Sequence, residues 1–167
     1  SLHDALPISK MTKKIVRRGV TELVTPGVAL NDQVLDQKTN NFLAAVHFNN
    51  DRLGVAFLDI STGEFLLAEG NLEYIDKLLQ SFNPSEILYQ KQYRKQFEAQ
   101  FGDKFYTFKL EDWVFSEEFA KETLVRHFDT TSLKGFGVEA LPLGIIAAGA
   151  CLHYLSETKH DHIAHIS

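Results

Sequence analysis

The stretch GVAFLDISTGEF, residues 54–65, links two apolar runs through a polar turn and decides how the chain folds. Asp59 lies near the end of the first run, and the turn formers Ser61, Thr62 and Gly63 follow it closely. A carboxylate in this position can accept hydrogen bonds from backbone amides just ahead of it, which shapes an Asx turn. The stretch therefore predicts a β-hairpin, and for Asp59 this role is favoured over ligation of a catalytic metal.

Strand and helix patterns continue on both sides of this hairpin. Apolar β-branched and aromatic residues fill the predicted strands, and apolar residues recur every three or four positions in the predicted helices. The predicted strands are residues 42–48, 53–60, 64–69, 86–90 and 105–110, and helices follow Asn71, about Tyr93, and Ser116. The order βββαβαβα predicts an α/β domain with a mixed sheet and flanking helices. It is the order of the ribonuclease H-like fold.

A further helix is predicted from Pro142 to about Thr158. Small residues alternate there with Ile and Leu, so the helix is apolar nearly all round and needs partners on several sides. We expect few such partners within this chain and interpret the helix as the first of an all-α core domain. Residues 133–167 are then expected to be the least stable part of the molecule.

Composition describes roughly one globular domain and excludes several classes of protein. The chain has 167 residues, is 44% hydrophobic and carries a net charge of −5. Its longest apolar run, residues 144–155, is shorter than the ~20 residues that cross a bilayer. A single cysteine, Cys151, allows no intrachain disulfide and favours a reducing compartment, so we expect a cytoplasmic protein.

The charge is distributed unevenly along the chain. Residues 19–167 carry 12 basic and 21 acidic side chains, which is not the balance of a domain that grips DNA phosphates. Near the N-terminus, Lys13, Lys14, Arg17 and Arg18 form a basic run. These four residues are candidates for lying near DNA, and a solvated face of a helix end or linker is the alternative.

The pattern of carboxylates argues against a nuclease. Two-metal hydrolysis of a phosphodiester needs several converging carboxylates, which a nuclease of this fold carries on its first strand, on its first helix and at the end of its fourth strand. Glu73 and Asp76 lie on the first helix, but a helical carboxylate without partners on the strands is normally part of a solvated face. Here the first strand, FLAAVHF at residues 42–48, has no acid, and the fourth ends in Leu88, Tyr89 and Gln90. We therefore predict no catalytic, cofactor-binding or metal-binding residue in this chain.

Six phrases, in order and spacing, resemble the MutS family of DNA mismatch repair proteins. They are LVTPG, NNFLAAV, GVAFLDISTGEF, PSEIL, SLKGFGVE and AAGACLHYL. The similarity runs from about Lys10 to Ser167 and is strongest to members from Bacteroidetes. Residues 1–9 fit nothing that follows and are interpreted as a non-native, adaptor-derived segment.

The resemblance implies an internal piece of a larger protein. Residues 10–27 would end the mismatch-recognition domain, residues 28–131 would form a connector domain without nuclease activity, and residues 132–167 would open the helical core with its levers. Hinges are expected at two sites where glycine gives the backbone freedom. They are Thr25, Pro26 and Gly27, and Lys134, Gly135, Phe136 and Gly137.

The resemblance also implies the partners of the full-length protein. These would be mismatched double-stranded DNA, MutL, a second copy in a homodimer, and ATP with Mg²⁺. The ATP-binding motif G-x-x-x-x-G-K-[ST] does not occur in this sequence, so no enzyme activity is expected of the chain itself. Two alternatives stay open: a free-standing ribonuclease H-like nuclease, and a structural domain of another multidomain protein.

Overall fold

The computed structural model describes residues 12–15, 41–133 and 138–166, and only the backbone within 12–15 and 159–166. The described part contains six strands and four α-helices. The strands are β1 (Thr12–Ile15), β2 (Phe42–Asn49), β3 (Arg52–Asp59), β4 (Phe65–Gly70), β5 (Glu86–Gln90) and β6 (Thr107–Leu110). The helices are α1 (Leu72–Phe82), α2 (Arg94–Phe101), α3 (Glu117–Phe128) and α4 (Pro142–Ile166).

One mixed sheet in the order β1-β4-β3-β2-β5-β6 organises the domain. Strands β2, β3 and β4 form an antiparallel meander, and β5 and β6 add in parallel to β2. The predicted α/β class and the element order from β2 to α3 are confirmed. Strand β1 was not predicted: it lies in the basic run and pairs antiparallel with β4, which makes six strands where five were expected.

Local signals set the helix ends. The Asn71 side chain accepts a hydrogen bond of 2.9 Å from the Tyr74 amide, which satisfies one free donor at the start of α1. Ser116 does the same for α3 through the Phe119 amide, at 3.2 Å. Helix α2 ends at Gly102, whose φ of +68° is a conformation that suits glycine.

The two faces of the sheet bury separate hydrophobic clusters. Because successive strand residues point to opposite faces, Ala44, Val46 and Phe48 of β2 pack towards α1 and α2. Leu43 and Ala45 of the same strand pack towards α3 and α4. The domain therefore has three layers, with a pair of helices on each face of the sheet.

Helix α4 corrects one expectation. Its first half is buried against the sheet and against α3, so the prediction of few partners within this chain was wrong. The close approach depends on glycine: a Cβ on Gly54 of β3 would lie 2.6 Å from the Leu143 carbonyl oxygen. A Cβ on Gly149 would lie 2.6 Å from the Cα of Ala120 in α3. The sequence predicts that the small residues of this helix need partners outside the chain. In the structure they let α4 approach the sheet and α3 at the same time.

Assignment of residues 132–167 to a separate domain stays a prediction, and this packing favours counting the first turns of α4 with the sheet.

Replacement of Gly54 by alanine tests this contact. We expect Gly54→Ala to lower the free energy of unfolding by about 3 kcal/mol, because the added methyl group overlaps the backbone of α4. Gly63→Ala is the matched control, since no atom lies within 4 Å of a Cβ there and the cost is only that of its left-handed φ of +82°, about 1 kcal/mol. Urea denaturation of both variants measures the difference, and equal losses would contradict the proposed close approach.

Candidate functional site

Asp59 shapes the β3–β4 hairpin. Its Oδ1 accepts hydrogen bonds from the amides of Ser61 at 2.9 Å and Thr62 at 3.3 Å, which is Asx-turn geometry. The Asp59 carbonyl accepts a further bond from the Gly63 amide at 2.7 Å, and the residue is 3% exposed. The Asp59 carboxylate thus accepts hydrogen bonds from the backbone of the turn that follows it.

Neutral side chains occupy neighbouring positions in the second halves of β2 and β5. The parallel register of β2 with β5 pairs Val46 with Tyr89, and His47 and Gln90 are the next residues on these strands. Strand alternation directs both towards the face that α3 and α4 cover. His47 Nδ1 and Gln90 Oε1 are buried atoms without a hydrogen-bond partner among the described residues. An imidazole and an amide thus lie next to each other on neighbouring strands, and no pair of carboxylates is present there to hold metal ions.

Burial keeps the His47 imidazole uncharged. The ring stacks on Phe115, with 5.6 Å between the ring centroids. Loss of hydration lowers the pKa of His47 from 6.5 to about 4, because the charged form is penalised away from water. Within the described residues, no cluster of three or more His, Cys, Asp or Glu side chains is placed to hold a metal ion.

A buried carboxylate joins the sheet to the start of α4. Glu69, near the end of β4, is 2% exposed, and its Oε1 accepts hydrogen bonds from Arg52 Nε at 3.1 Å and Nη2 at 3.0 Å. Its Oε2 accepts bonds from the amides of Leu143 at 2.6 Å and Gly144 at 3.4 Å. One side chain therefore ties together β3, β4 and the first turn of α4.

Glu69 replaces a cap that the local sequence of α4 does not supply. The Leu141 carbonyl accepts the first intrahelical bond, from Ile145 at 2.9 Å, so Leu141 is the N-cap residue. A leucine side chain cannot accept the amides of the first turn, whereas a carboxylate can, and the helix dipole favours negative charge there. Sequence reasoning missed Glu69. The available signals were an acid inside the strand run FLLAEG and a helix that begins ALPLG without a polar cap.

A second polar contact holds α4 at the opposite end of the sheet. The Tyr154 hydroxyl donates a hydrogen bond of 2.9 Å to Glu86 Oε1 at the start of β5, and its ring packs on Phe108 of β6 at 5.3 Å between centroids. Burial, followed by the contact with Glu86, raises the pKa of Tyr154 above its usual value. Between the two ends, Cys151 is fully buried against the sheet, and burial raises the pKa of its thiol.

The hinge and basic residues predicted from the sequence fall largely outside the described part of the chain. Both hinge sites, residues 25–27 and 134–137, lie outside it, and so do Arg17 and Arg18. Lys13 and Lys14 lie in β1, where the backbone alone is described. Their roles stay predictions.

Comparisons with known proteins agree on one family. A family model described as MutS domain II matches residues 41–167. DNA mismatch repair protein MutS of Flavobacterium johnsoniae is 63% identical over all 167 residues, which are 19% of its own length. The protein of the same name from Bacteroides thetaiotaomicron is 61% identical, with the same coverage of both chains. The chain thus spans 19% of the length of these curated relatives.

Fold and comparisons together identify the class of protein. The mixed sheet with two helices on each face is an α/β domain of the ribonuclease H-like type. The chain belongs to the MutS family of DNA mismatch repair proteins. Among the described residues, no helix is both long and apolar enough to cross a membrane.

Loss of the negative charge at residue 69 should weaken the joint. We expect Glu69→Gln to lower the free energy of unfolding by about 2 kcal/mol, because the amide is a poorer acceptor for Arg52 and for the first turn of α4. Glu122→Gln is the matched control: that side chain is 70% exposed and its ion pair with Arg126 is worth less than about 0.5 kcal/mol. Chemical denaturation measures both, and similar values would show that Glu69 contributes no more than a surface carboxylate.

Acid should destabilise the fold through His47. The unfolded chain binds a proton at this side chain near pH 6.5 and the folded chain only near pH 4, so stability falls as the pH drops through this window. The expected loss is about 2 to 3 kcal/mol. His47→Phe keeps a ring against Phe115 and removes the titrating group. Denaturation midpoints between pH 7 and 4 should therefore fall less steeply in this variant, and parallel curves would contradict the assignment.

Proposed function

We propose that this chain is the connector part of a MutS-type mismatch repair protein and has no catalytic activity of its own. The observation that carries the proposal is the neutral pair His47 and Gln90, in a segment that matches MutS domain II. A ribonuclease H-like sheet without clustered acids cannot hold two divalent cations for phosphodiester hydrolysis. What remains is a rigid body that can pass a movement from one neighbour to another.

The full-length protein would supply the rest of the function. Its mismatch-reading part would bind mispaired double-stranded DNA, and an ATPase part with ATP and Mg²⁺ would change the state of a homodimer. The connector would couple these events and offer a surface to MutL in the cytoplasm. Support comes from the curated names of the relatives and from the acidic balance of residues 19–167, which suits contacts with protein better than with DNA.

The rival function is that of a free-standing ribonuclease H-like nuclease. Its support is the fold itself, but fold alone does not determine function. A structural role in another multidomain protein is the remaining alternative, and the whole-chain identity of 63% to a MutS protein speaks against it.

Cleavage assays separate the two functions. We expect the purified chain to leave RNA–DNA hybrid and single-stranded DNA intact with either Mg²⁺ or Mn²⁺. The reason is that His47 and Gln90 are neutral and no pair of carboxylates lies beside them to bind the metal ions. Asp59→Asn is the control for a contaminating nuclease, since cleavage that persists in this variant does not depend on the candidate acid. Metal-dependent cleavage that disappears in Asp59→Asn would refute the proposal.

A further inference from the structure

A small cleft opens between the C-terminal end of α2 and β6, the last strand of the sheet. Its volume is about 380 Å³, which lies at the small end of the range for binding clefts. The buried rings of Tyr89 and Phe97 stack at its base, with 4.3 Å between their centroids. We call it the α2 cleft, and the other side chains that line it are Glu98, Asp103, Phe105 and Thr107.

The polar groups that line the α2 cleft are mainly hydrogen-bond acceptors. Glu98 and Asp103 contribute carboxylates, and both residues are exposed. The Tyr89 hydroxyl is hydrogen-bonded to the Thr107 side chain, which uses one of the two hydroxyl protons in the cleft. The Asp103 carboxylate has no hydrogen bond or ion pair with another described residue. The cleft therefore suits a guest that brings its own donors.

The charges that line the α2 cleft favour a positively charged guest. Burial, followed by the negative charge of Glu98, raises the pKa of Tyr89 above its usual value, so this carboxylate lies close to the hydroxyl. The last turn of α2 carries no basic residue, although the carbonyl end of a helix favours positive charge. Asp103 follows directly after this helix end and adds a second negative charge.

The basic residues near the α2 cleft do not line it; they are Arg94, Lys104 and Lys109. Arg94 pairs with Glu98 at 3.5 Å, and Lys104 pairs with Asp76 of α1 at 3.6 Å. An exposed pair within one helix, such as Arg94 with Glu98, contributes little and leaves the carboxylate open to a further partner. Asp103 is left without a cation among these residues.

We propose that the α2 cleft binds an arginine side chain that another segment of the full-length protein presents. The planar guanidinium brings five donors for Asp103 and Glu98, and the apolar stem of the side chain packs on the half-buried ring of Phe105. This inference does not depend on the connector role.

The strength of such a contact indicates where the arginine comes from. Both carboxylates are exposed, so we expect a dissociation constant in the millimolar range for a free arginine side chain. A site this weak is filled when its guest is tethered, because a tether supplies an effective concentration that is itself millimolar. The chain is 19% of the length of its MutS relative, so most of the polypeptide that can present an arginine lies outside it.

Titration of the purified chain with a small probe tests the cleft itself. The probe is N-acetylarginine amide, and N-acetylcitrulline amide is the matched control because its urea group has the shape of the guanidinium without the charge. NMR shifts of the backbone amides of residues 98–107 report binding. We expect the arginine probe to bind about tenfold more tightly, the size of an exposed ion pair together with a contact between the cation and an aromatic ring.

Asp103→Asn should remove most of this tenfold preference. Glu122→Gln, which removes an acid of an exposed ion pair on α3, should leave it unchanged. Amide shifts outside residues 98–107 show whether each variant keeps the fold. Equal binding of the two probes, or shifts without preference for residues 98–107, would overturn the assignment of a cation site.

Thiol footprinting tests the source of the arginine. Thr107→Cys places a thiol in the cleft, and Ser81→Cys places one at an exposed position of α1 as the control. Each variant is compared in the purified chain and in full-length MutS of Flavobacterium johnsoniae in which this chain replaces the matching segment. Peptide mass spectrometry reads the rate of reaction with a small neutral thiol reagent at each residue, separately from Cys151 and from the cysteines of the host.

The thiol at residue 107 should react about tenfold more slowly in the full-length protein than in the purified chain, because a tethered guest covers it most of the time. The thiol at residue 81 should react at the same rate in both. Asp103→Asn should restore the faster reaction at residue 107, which distinguishes a bound arginine from general coverage by a neighbouring domain. Equal rates at residue 107, or protection that Asp103→Asn leaves intact, would overturn the proposal.

Discussion

The hydrogen bonds between Glu69 and the first turn of α4 are the constraint on which the rest of the structure depends. A buried carboxylate is stable only when its oxygens find donors, and a helix start that lacks a polar cap leaves amides that need an acceptor. The amides of the helix start donate to the Glu69 carboxylate, so the carboxylate has donors and the amides have an acceptor. Arg52, partly exposed to water, balances the charge and ties the neighbouring strand into the same contact.

This contact fixes the position of α4 on the sheet. Once the first turn of α4 is fixed over Gly54, the helix crosses the sheet and reaches Glu86 with Tyr154. Its buried residues complete the hydrophobic cluster that α3 begins. The match of the MutS domain II model to residues 41–167 includes the whole of α4, which agrees with counting its packed part together with the sheet.

Local chemistry could be read from the sequence, and long-range contacts could not. The caps Asn71 and Ser116 and the class of the fold depend on neighbouring residues and on hydrophobic periodicity, which a single sequence displays. The hydrogen bond from the Leu143 amide to Glu69 joins residues 74 positions apart, and neither segment contains a signal that identifies the other as its partner. Strand β1 was missed for a related reason: its four residues TKKI contain two lysines and gain their place only by pairing with β4.

The neutral pair His47 and Gln90 suits the rigid role proposed for this domain. Two carboxylates there would lie on the face that α3 and α4 cover and would repel each other unless metal ions bound between them. An imidazole kept neutral by burial and an uncharged amide carry no such dependence on a ligand. The sheet can therefore hold α4 in one place whether or not divalent ions are present. The geometry of this sheet is thus set by hydrophobic packing and by the buried carboxylate of Glu69 with its partners, which suits the mechanical role proposed for the domain.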